Sequence, residues 1–224
     1  MAPRTDVCVV IPVFNEATVI GDVVRAVRAE YPTVVCVDDG SSDGSGAEIR
    51  AAGASLVQHP MNLGQGAALR TGLDFAQTLP EARYFVTFDA DGQHDVRDVL
   101  PMVTLLDQGE VKIVFGSRFL DDRTSMTRSK RAVLAMAVRY SKLSTGLALT
   151  DTHNGLRAFT RDVAAGLDLQ MNGMAHASEL LHLVAAMKVR YAEVPVHITY
   201  TEYSRAKGQP LMNAVNILFD LIFR

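Results

Sequence analysis

Five short runs of apolar, β-prone residues, at 6–13, 33–37, 54–58, 84–88 and 111–116, alternate with segments of helical periodicity, and no other feature restricts the fold as much. Runs that are apolar throughout belong to strands buried on both faces, and helices between successive strands make the connections that a parallel sheet requires. The expected class is therefore α/β, a mostly parallel sheet with helices on both faces. The helices are expected from Val19, Ile20, Val23, Val24 and Val27, then over 44–52, 67–77, 96–106, 130–143 and 177–187, with an edge strand over 189–200 interrupted by Pro195 and a last helix over 211–223. A chain of 224 residues supports one such domain.

Four of these runs end in polar residues at the strand edge where α/β sheets bind ligands. The first leads into Phe14-Asn15-Glu16, with Asn15 as a helix N-cap and Glu16 in the first helical turn, as a capping acid or a ligand. The second leads into Asp38-Asp-Gly-Ser-Ser-Asp43, whose acids can accept hydrogen bonds from a base or a ribose and whose Ser-Ser-Asp suits a helix cap. After the third, Asn62-Leu-Gly-Gln-Gly66 opens a helix in the manner of a phosphate-cradling turn, and Arg70 reaches a phosphate or pairs with a surface acid. After the fourth comes Asp89-Ala-Asp-Gly-Gln-His94. Two carboxylates separated by the small Ala90 can turn to one point, which suits Mg²⁺ or Mn²⁺ carrying substrate phosphates, although Asp pairs also occur in plain surface turns.

A formal charge of −3 excludes a generally basic nucleic-acid binder. The basic residues are unevenly spread: Arg123, Arg128, Lys130, Arg131, Arg139 and Lys142 follow one another with no intervening acid, which points to a local anion site. Cys8 and Cys36 sit inside apolar runs and read as buried thiols of a reducing compartment. With no secretory pattern at the start and no apolar run of about 18 residues, a cytoplasmic location with peripheral membrane contact is expected. The segment 150–157 is polar and unlike a core element, and His153 within it reads as a structural hydrogen-bonding residue or as a ligand or base.

Taken together, Val10-Ile-Pro-Val-Phe-Asn-Glu16, Val37-Asp-Asp-Gly-Ser-Ser-Asp43, the Asn62 to Gly66 spacing and Asp89-Ala-Asp-Gly-Gln-His94 resemble the inverting family 2 nucleotide-sugar glycosyltransferases of GT-A fold. Gly116-Ser-Arg118, Asp151-Thr-His-Asn-Gly-Leu-Arg157 and Tyr203-Ser-Arg-Ala-Lys-Gly208 extend the resemblance to the polyprenyl-phosphate branch, of which dolichol-phosphate mannosyltransferase is typical. The resemblance implies a Rossmann-like GT-A sheet, a nucleoside-diphosphate-sugar-binding half over 1–118 and an acceptor half over 119–224. It places Pro12, Phe14 and Glu16 around the nucleoside, Asp39 on the base, and Asp38, Gly40, Gly64, Arg70 and Ala90 in the same pocket. Asp89 would contact ribose or metal, with Asp91 and Gln93 as metal ligands. This chain departs from the branch where His153-Asn-Gly155 replaces a common Ser-Gly or Cys-Gly, and it contains no Trp, so the Gln-x-x-Arg-Trp signature of processive synthases is missing.

The acceptor implied is a lipid-linked phosphate or an envelope glycan. A phosphate needs no general base, and Arg118, Arg131, Arg205 and Lys207 are suitable clamps for it. A sugar hydroxyl does need a base, and Asp151 and Glu179 are then the candidates. The competing classes are a sugar-phosphate nucleotidyltransferase, which lacks a glycine-rich loop here, and a non-catalytic nucleotide-sugar binding protein. The basic stretch and the apolar face of 211–223 are expected to dock on an anionic leaflet, with packing on the sheet or a homodimer as the alternative for the helix.

Overall fold

The computed structural model describes residues 3–121 and 128–199, with the backbone alone for 128–133. The side chain of Arg131, the greater part of the basic stretch, Arg205, Lys207 and the expected helix over 211–223 thus lie outside the described residues.

Seven strands form one sheet in the order β3-β2-β1-β4-β6-β5-β7. They are β1 (Val7–Val13), β2 (Thr33–Asp38), β3 (Ser55–Gln58), β4 (Tyr84–Thr87), β5 (Ile113–Ser117), β6 (Arg157–Thr160) and β7 (Tyr191–Pro195). Strands β1 to β4 are mutually parallel, as are β5 and β7, while β6 runs antiparallel to both β4 and β5. The helices are α1 (Ile20–Glu30), α2 (Ser45–Ala52), α3 (Gln65–Gln77), α4 (Val99–Asp107), α5 (Arg128–Thr145), α6 (Arg161–Gly166) and α7 (His176–Met187).

Strand β1 shows why its run must be apolar at every position. Val7, Val9, Ile11 and Val13 enter one cluster with Val24 and Val27 of α1, Ile49 of α2 and Met102 and Val103 of α4. Cys8 and Val10 enter the opposite cluster with Leu69 and Leu73 of α3, Val163 of α6 and Leu180 and Val184 of α7. Helices therefore cover both faces, as the alternation requires. Cys8 and Cys36 are buried free thiols in opposite clusters. Burial pushes the Cys8 thiol up to about 12.

Three expectations need correction. The segment 150–157 is part of the core: Asp151, Thr152, Asn154, Leu156 and Arg157 are all buried, and Arg157 opens β6 between Thr87 and Phe115. Asp151 and the Asn154 side-chain oxygen accept hydrogen bonds inside, while Arg157 is buried beside the charges of Asp89 and Asp151, and this polar content hid the segment from a reading by apolar pattern. Asn15 does not cap α1, which begins at Ile20 behind a turn closed on the Glu16 carbonyl. Asn15 instead adopts φ +54 and its side-chain oxygen accepts from the Ser42 N–H. Nor is Glu16 in the first helical turn; its N–H donates to Ser45 Oγ. Finally, the start of α3 does not cradle a phosphate through its first N–H groups, because those of Gly66 and Ala67 donate to the Asn172 carbonyl. A Cβ at Gly64 would lie 2.3 Å from that oxygen, and one at Gly66 would lie 2.0 Å from the Met171 oxygen. These glycines admit a neighbouring loop.

Strand β7 lies at the sheet edge, paired to β5, with Pro195 at its end where a missing N–H costs no ladder bond. At the other face, α3 seats on β1 and β2 through Gly72, where a Cβ would fall 2.4 Å from Val10 Cγ1 and 3.0 Å from Val37 Cγ2. Gly72→Ala is expected to lose about 1–2 kcal/mol, overpacking outweighing the better helix propensity of Ala. Urea unfolding checks this, and an unchanged midpoint would show that α3 can shift without loss.

Candidate active site

The parallel strands β1, β2, β4 and β5 end on the same edge where antiparallel β6 begins, so the polar residues of five segments meet there. The loops after β1 and β2 are tied together: Asn15 N–H donates to Ser41 Oγ, Ala17 N–H to Asp43, and Ser42 N–H to Asn15. This holds Phe14, which is 43% exposed, and buried Glu16 at the strand ends.

Asp38 and Asp39 are both buried and serve different neighbours. Asp38 accepts from the Ser41 N–H at 3.0 Å and from Gln58 Nε2 at 3.1 Å. Asp39 accepts from His59 Nδ1 at 2.7 Å and from the N–H groups of Leu63 and Gly64 at 2.9 and 2.8 Å. The other ring nitrogen of His59 meets Thr71 Oγ1 at 3.0 Å. Gly40 is required beside them, since at φ +75 a Cβ would strike the Met61 backbone. Arg70 reaches the Leu169 carbonyl at 3.2 Å. Pro12 lies within β1, in register with Val37.

The acids after β4 form the centre. Ala90 is buried between them, and Gly92 takes φ +72 to turn the chain. Asp91 accepts from the Gln93 N–H at 3.0 Å and from Gln93 Nε2 at 2.6 Å. Burial, together with the charges of Asp89 and Glu16, pushes the Asp91 carboxyl up to about 6. Asp89 meets His94 Nε2 at 2.9 Å, and the His94 ring packs on Phe88 at 5.3 Å between centroids. Burial would raise the Asp89 carboxyl, but His94 and the charges of Arg157 and His176 hold it below the usual range. Segment 154–157 comes so close that a Cβ at Gly155 would lie 2.3 Å from Asp89 Oδ2.

Three carboxylates with one partly uncompensated charge are what a hard divalent cation would relieve. Among the described residues no three His, Cys, Asp or Glu side chains converge into a complete cage. A cation held by these acids would have to take most of its oxygens from a bound phosphate or water.

On the far side of Asp89, Asp151 is clamped by Arg118 through Nε–Oδ2 at 2.6 Å and Nη2–Oδ1 at 2.8 Å. The Arg118 and His153 N–H groups each add a bond at 3.2 Å, and the Arg118 charge overcomes burial to hold Asp151 below the usual carboxylate range. Burial pushes His153 down to about 4, aided by the charges of Arg157, Arg118 and His176. Glu179 spends one oxygen on the Gln170 N–H and the other on the Met171 N–H, fixing the loop that lies on Gly64 and Gly66. Asp151 thus joins the site as half of an ion pair, while Glu179 acts as a loop clamp. Four residues of the cluster escaped the sequence reading: His94, Arg157, His176 and Glu193, which receives the Thr150 and Asp151 N–H groups. An Arg inside the run Leu156-Arg-Ala-Phe159 was the signal available for Arg157.

The profile of Glycosyl transferase family 2 matches residues 8–167. The chain belongs to that family. This family 2 glycosyltransferase is 33% identical to an uncharacterised protein of Methanocaldococcus jannaschii over 99% of its own length and 93% of the relative's. It is 29% identical to the UDP-N-acetylglucosamine–dolichyl-phosphate N-acetylglucosaminyltransferase of Methanococcus voltae, over 95% and 93% of the two chains. With the polyprenol monophosphomannose synthase of Mycolicibacterium smegmatis it shares 30% identity over 96% and 84%. Among solved structures, glucosyl-3-phosphoglycerate synthase of Mycobacterium tuberculosis with Mn²⁺, UDP-glucose and phosphoglyceric acid superposes with TM-score 0.66, at 20% identity, over 99% of this chain and 79% of that one. The fold is GT-A, and membership in a transferase family replaces the nucleotidyltransferase and non-catalytic alternatives.

The raised Asp91 value fixes the sign of a stability effect. A carboxyl whose folded-state value lies near 6, above its usual ~3.9, penalises the fold once ionised; the penalty is complete above the folded value and absent below the unfolded one. Asp91→Asn is therefore expected to raise the thermal midpoint of the metal-free protein at about pH 7.5, with the gain vanishing near pH 4. Equal midpoints at the higher pH would remove the electrostatic account.

Proposed function

We propose that this glycosyltransferase moves a sugar from a nucleoside-diphosphate sugar to a polyprenyl phosphate, with inversion at the anomeric carbon. The observation that carries the choice of acceptor is the bidentate Asp151–Arg118 pair. A carboxylate held ionised by a half-buried guanidinium is a weak base, both Glu179 oxygens are taken by backbone, and burial pushes His153 down to about 4. Asp151, Glu179 and His153, the candidate bases for a sugar hydroxyl, are thus each compromised, whereas a phosphate monoester arrives already charged. The relatives whose names carry dolichyl-phosphate and polyprenol point the same way.

Residues 1–118 would hold the donor and residues 119–224 the acceptor. Around the nucleoside we place Pro12, Phe14, Glu16 and Gly40; Asp38, Asp39 and Arg70, already engaged elsewhere, would support the pocket from behind, Asp39 by fixing the Leu63–Gly64 turn. Asp89 and Asp91 would hold Mg²⁺ or Mn²⁺, with Gln93 turning its amide oxygen to join them. Such an ion neutralises charge on the departing nucleoside diphosphate. The residues themselves keep two carboxylates near enough for the charge of Asp89 to act on Asp91, and the acceptor would attack in line from the side opposite the leaving nucleoside diphosphate, without a covalent intermediate.

Peripheral membrane contact suits this acceptor. Met136, Tyr140 and Leu143 of α5 are 51%, 41% and 87% exposed, recur along one side of the helix, and have Arg139 and Lys142 beside them. Among the described residues no helix is long and apolar enough to cross a membrane.

Thermal stabilisation by UDP-, GDP- and dTDP-sugars with Mn²⁺ tests the donor reading, since a ligand that binds the folded state raises the midpoint. One nucleotide series is expected to stabilise the protein, and only with the metal. Asp91→Ala is expected to lose that stabilisation and to reduce transfer to a polyprenyl phosphate by at least about 100-fold. Full activity of the variant in EDTA would remove the metal assignment.

A further inference from the structure

Arg157 is the buried cation that the assignments above leave unused. Its residue is 3% exposed, and its backbone is fixed in the sheet between Thr87 and Phe115. Asp89 and Asp151 act on it through charge alone, and no side-chain hydrogen bond forms from its guanidinium among the described residues. Its nitrogens are also not among the sealed unpartnered atoms, which include Asn154 Nδ2 three residues earlier, so they keep a narrow opening to solvent. A guanidinium presents five donors. Leaving them unmatched in a protein interior is costly, and burial already acts to lower its affinity for its proton.

Position selects the ligand. Arg157 stands close enough to Asp89 and to Asp151 for both charges to act on it, and Asp89 in turn feels Arg157 and His176. Arg118 spends Nε and Nη2 on Asp151. Arg157 therefore offers unmatched donors between Asp89 and the Asp151–Arg118 pair, on a segment whose Gly155 backbone packs directly against the Asp89 carboxylate.

We propose that Arg157 is a binding residue for the acceptor, whose phosphate oxygens accept hydrogen bonds from its guanidinium next to Asp89. This rests on the phosphate-acceptor reading above. It adds a buried clamp on β6 to the clamps expected from the sequence, and it gives Arg118 the separate task of holding Asp151. The same phosphate chemistry is offered by a lipid phosphate or a soluble phosphate ester, and the test separates them.

Farnesyl phosphate and sn-glycerol 3-phosphate are titrated calorimetrically into the full chain saturated with UDP and Mn²⁺, for wild type, Arg157→Met and Arg157→Lys. Binding of UDP, GDP and dTDP with Mn²⁺ to wild type is measured first, and whichever binds takes the place of UDP throughout; no binding of any of the three would overturn the donor reading and leave the acceptor titration, repeated without nucleotide, to judge Arg157. Wild type is expected to bind farnesyl phosphate more tightly than glycerol phosphate, identifying the lipid as the source; the reverse order would assign Arg157 to a soluble ester. Arg157→Met is expected to weaken the tighter phosphate about 10- to 100-fold, as loss of charge-assisted hydrogen bonds does. Arg157→Lys, which keeps charge but not the bidentate fork, should fall between. UDP–Mn²⁺ affinity should stay within about threefold in Arg157→Lys, which keeps the charge beside Asp89, and a general collapse of the site would not allow this. If Arg157→Met does not fold, Arg157→Lys decides. Unchanged phosphate affinity in the folded variants, or no phosphate binding by wild type, overturns the proposal.

Discussion

Strand β6 is hydrogen-bonded to β4 along one side and to β5 along the other, in the direction opposite to both. That insertion joins the strands carrying the donor-side acids to the strands carrying Arg118 and Glu193. Because β6 runs backwards, its first residue, Arg157, lies at the same edge as the last residues of the parallel strands. Without it Gly155 would not press against Asp89, and Asp151 would not stand beside Arg118. The site depends on one antiparallel strand in a parallel neighbourhood.

The electrostatics follow from that geometry. Asp89 and Asp151 are kept ionised by partners the fold supplies, His94 with Arg157 and His176 for one and Arg118 for the other. Among the described residues Asp91 has no comparable cation, and its carboxyl rises to about 6. The site thus pairs settled charge at Asp89 and Asp151 with unsettled charge at Asp91, which a bound divalent ion would relieve. Stability is given up at Asp91 in a way that a bound cation would offset.

Strands β1, β2, β4 and β5 could be read in the sequence because each lies in a largely apolar run, and a run such as 6–13 has no other stable place than a sheet covered on both faces. Asp38, Asp39, Asp89 and Asp91 could be placed at one edge because each follows such a run. Strand β6 could not be read this way: it is four residues long and begins with an Arg whose charge is balanced by residues remote in sequence. The role of Gly64 and Gly66 was misread for a related reason. Glycines opening a helix look alike whether an anion or a neighbouring carbonyl approaches them, and only the position of Asn172 separates the two. Asn15 looked like a cap because the type of residue is right for one, yet its left-handed backbone serves a loop-to-loop bond instead.

The central claim is that the acceptor brings its own negative charge, since Asp151 is committed to Arg118 and Glu179 to a loop. Sugar transfer to a polyprenyl phosphate and to the corresponding free polyprenol, measured side by side with the same donor and metal, tests it most directly. The account predicts product from the phosphate and none above background from the alcohol. Comparable rates on both would contradict it, because an alcohol acceptor requires a working general base at this site.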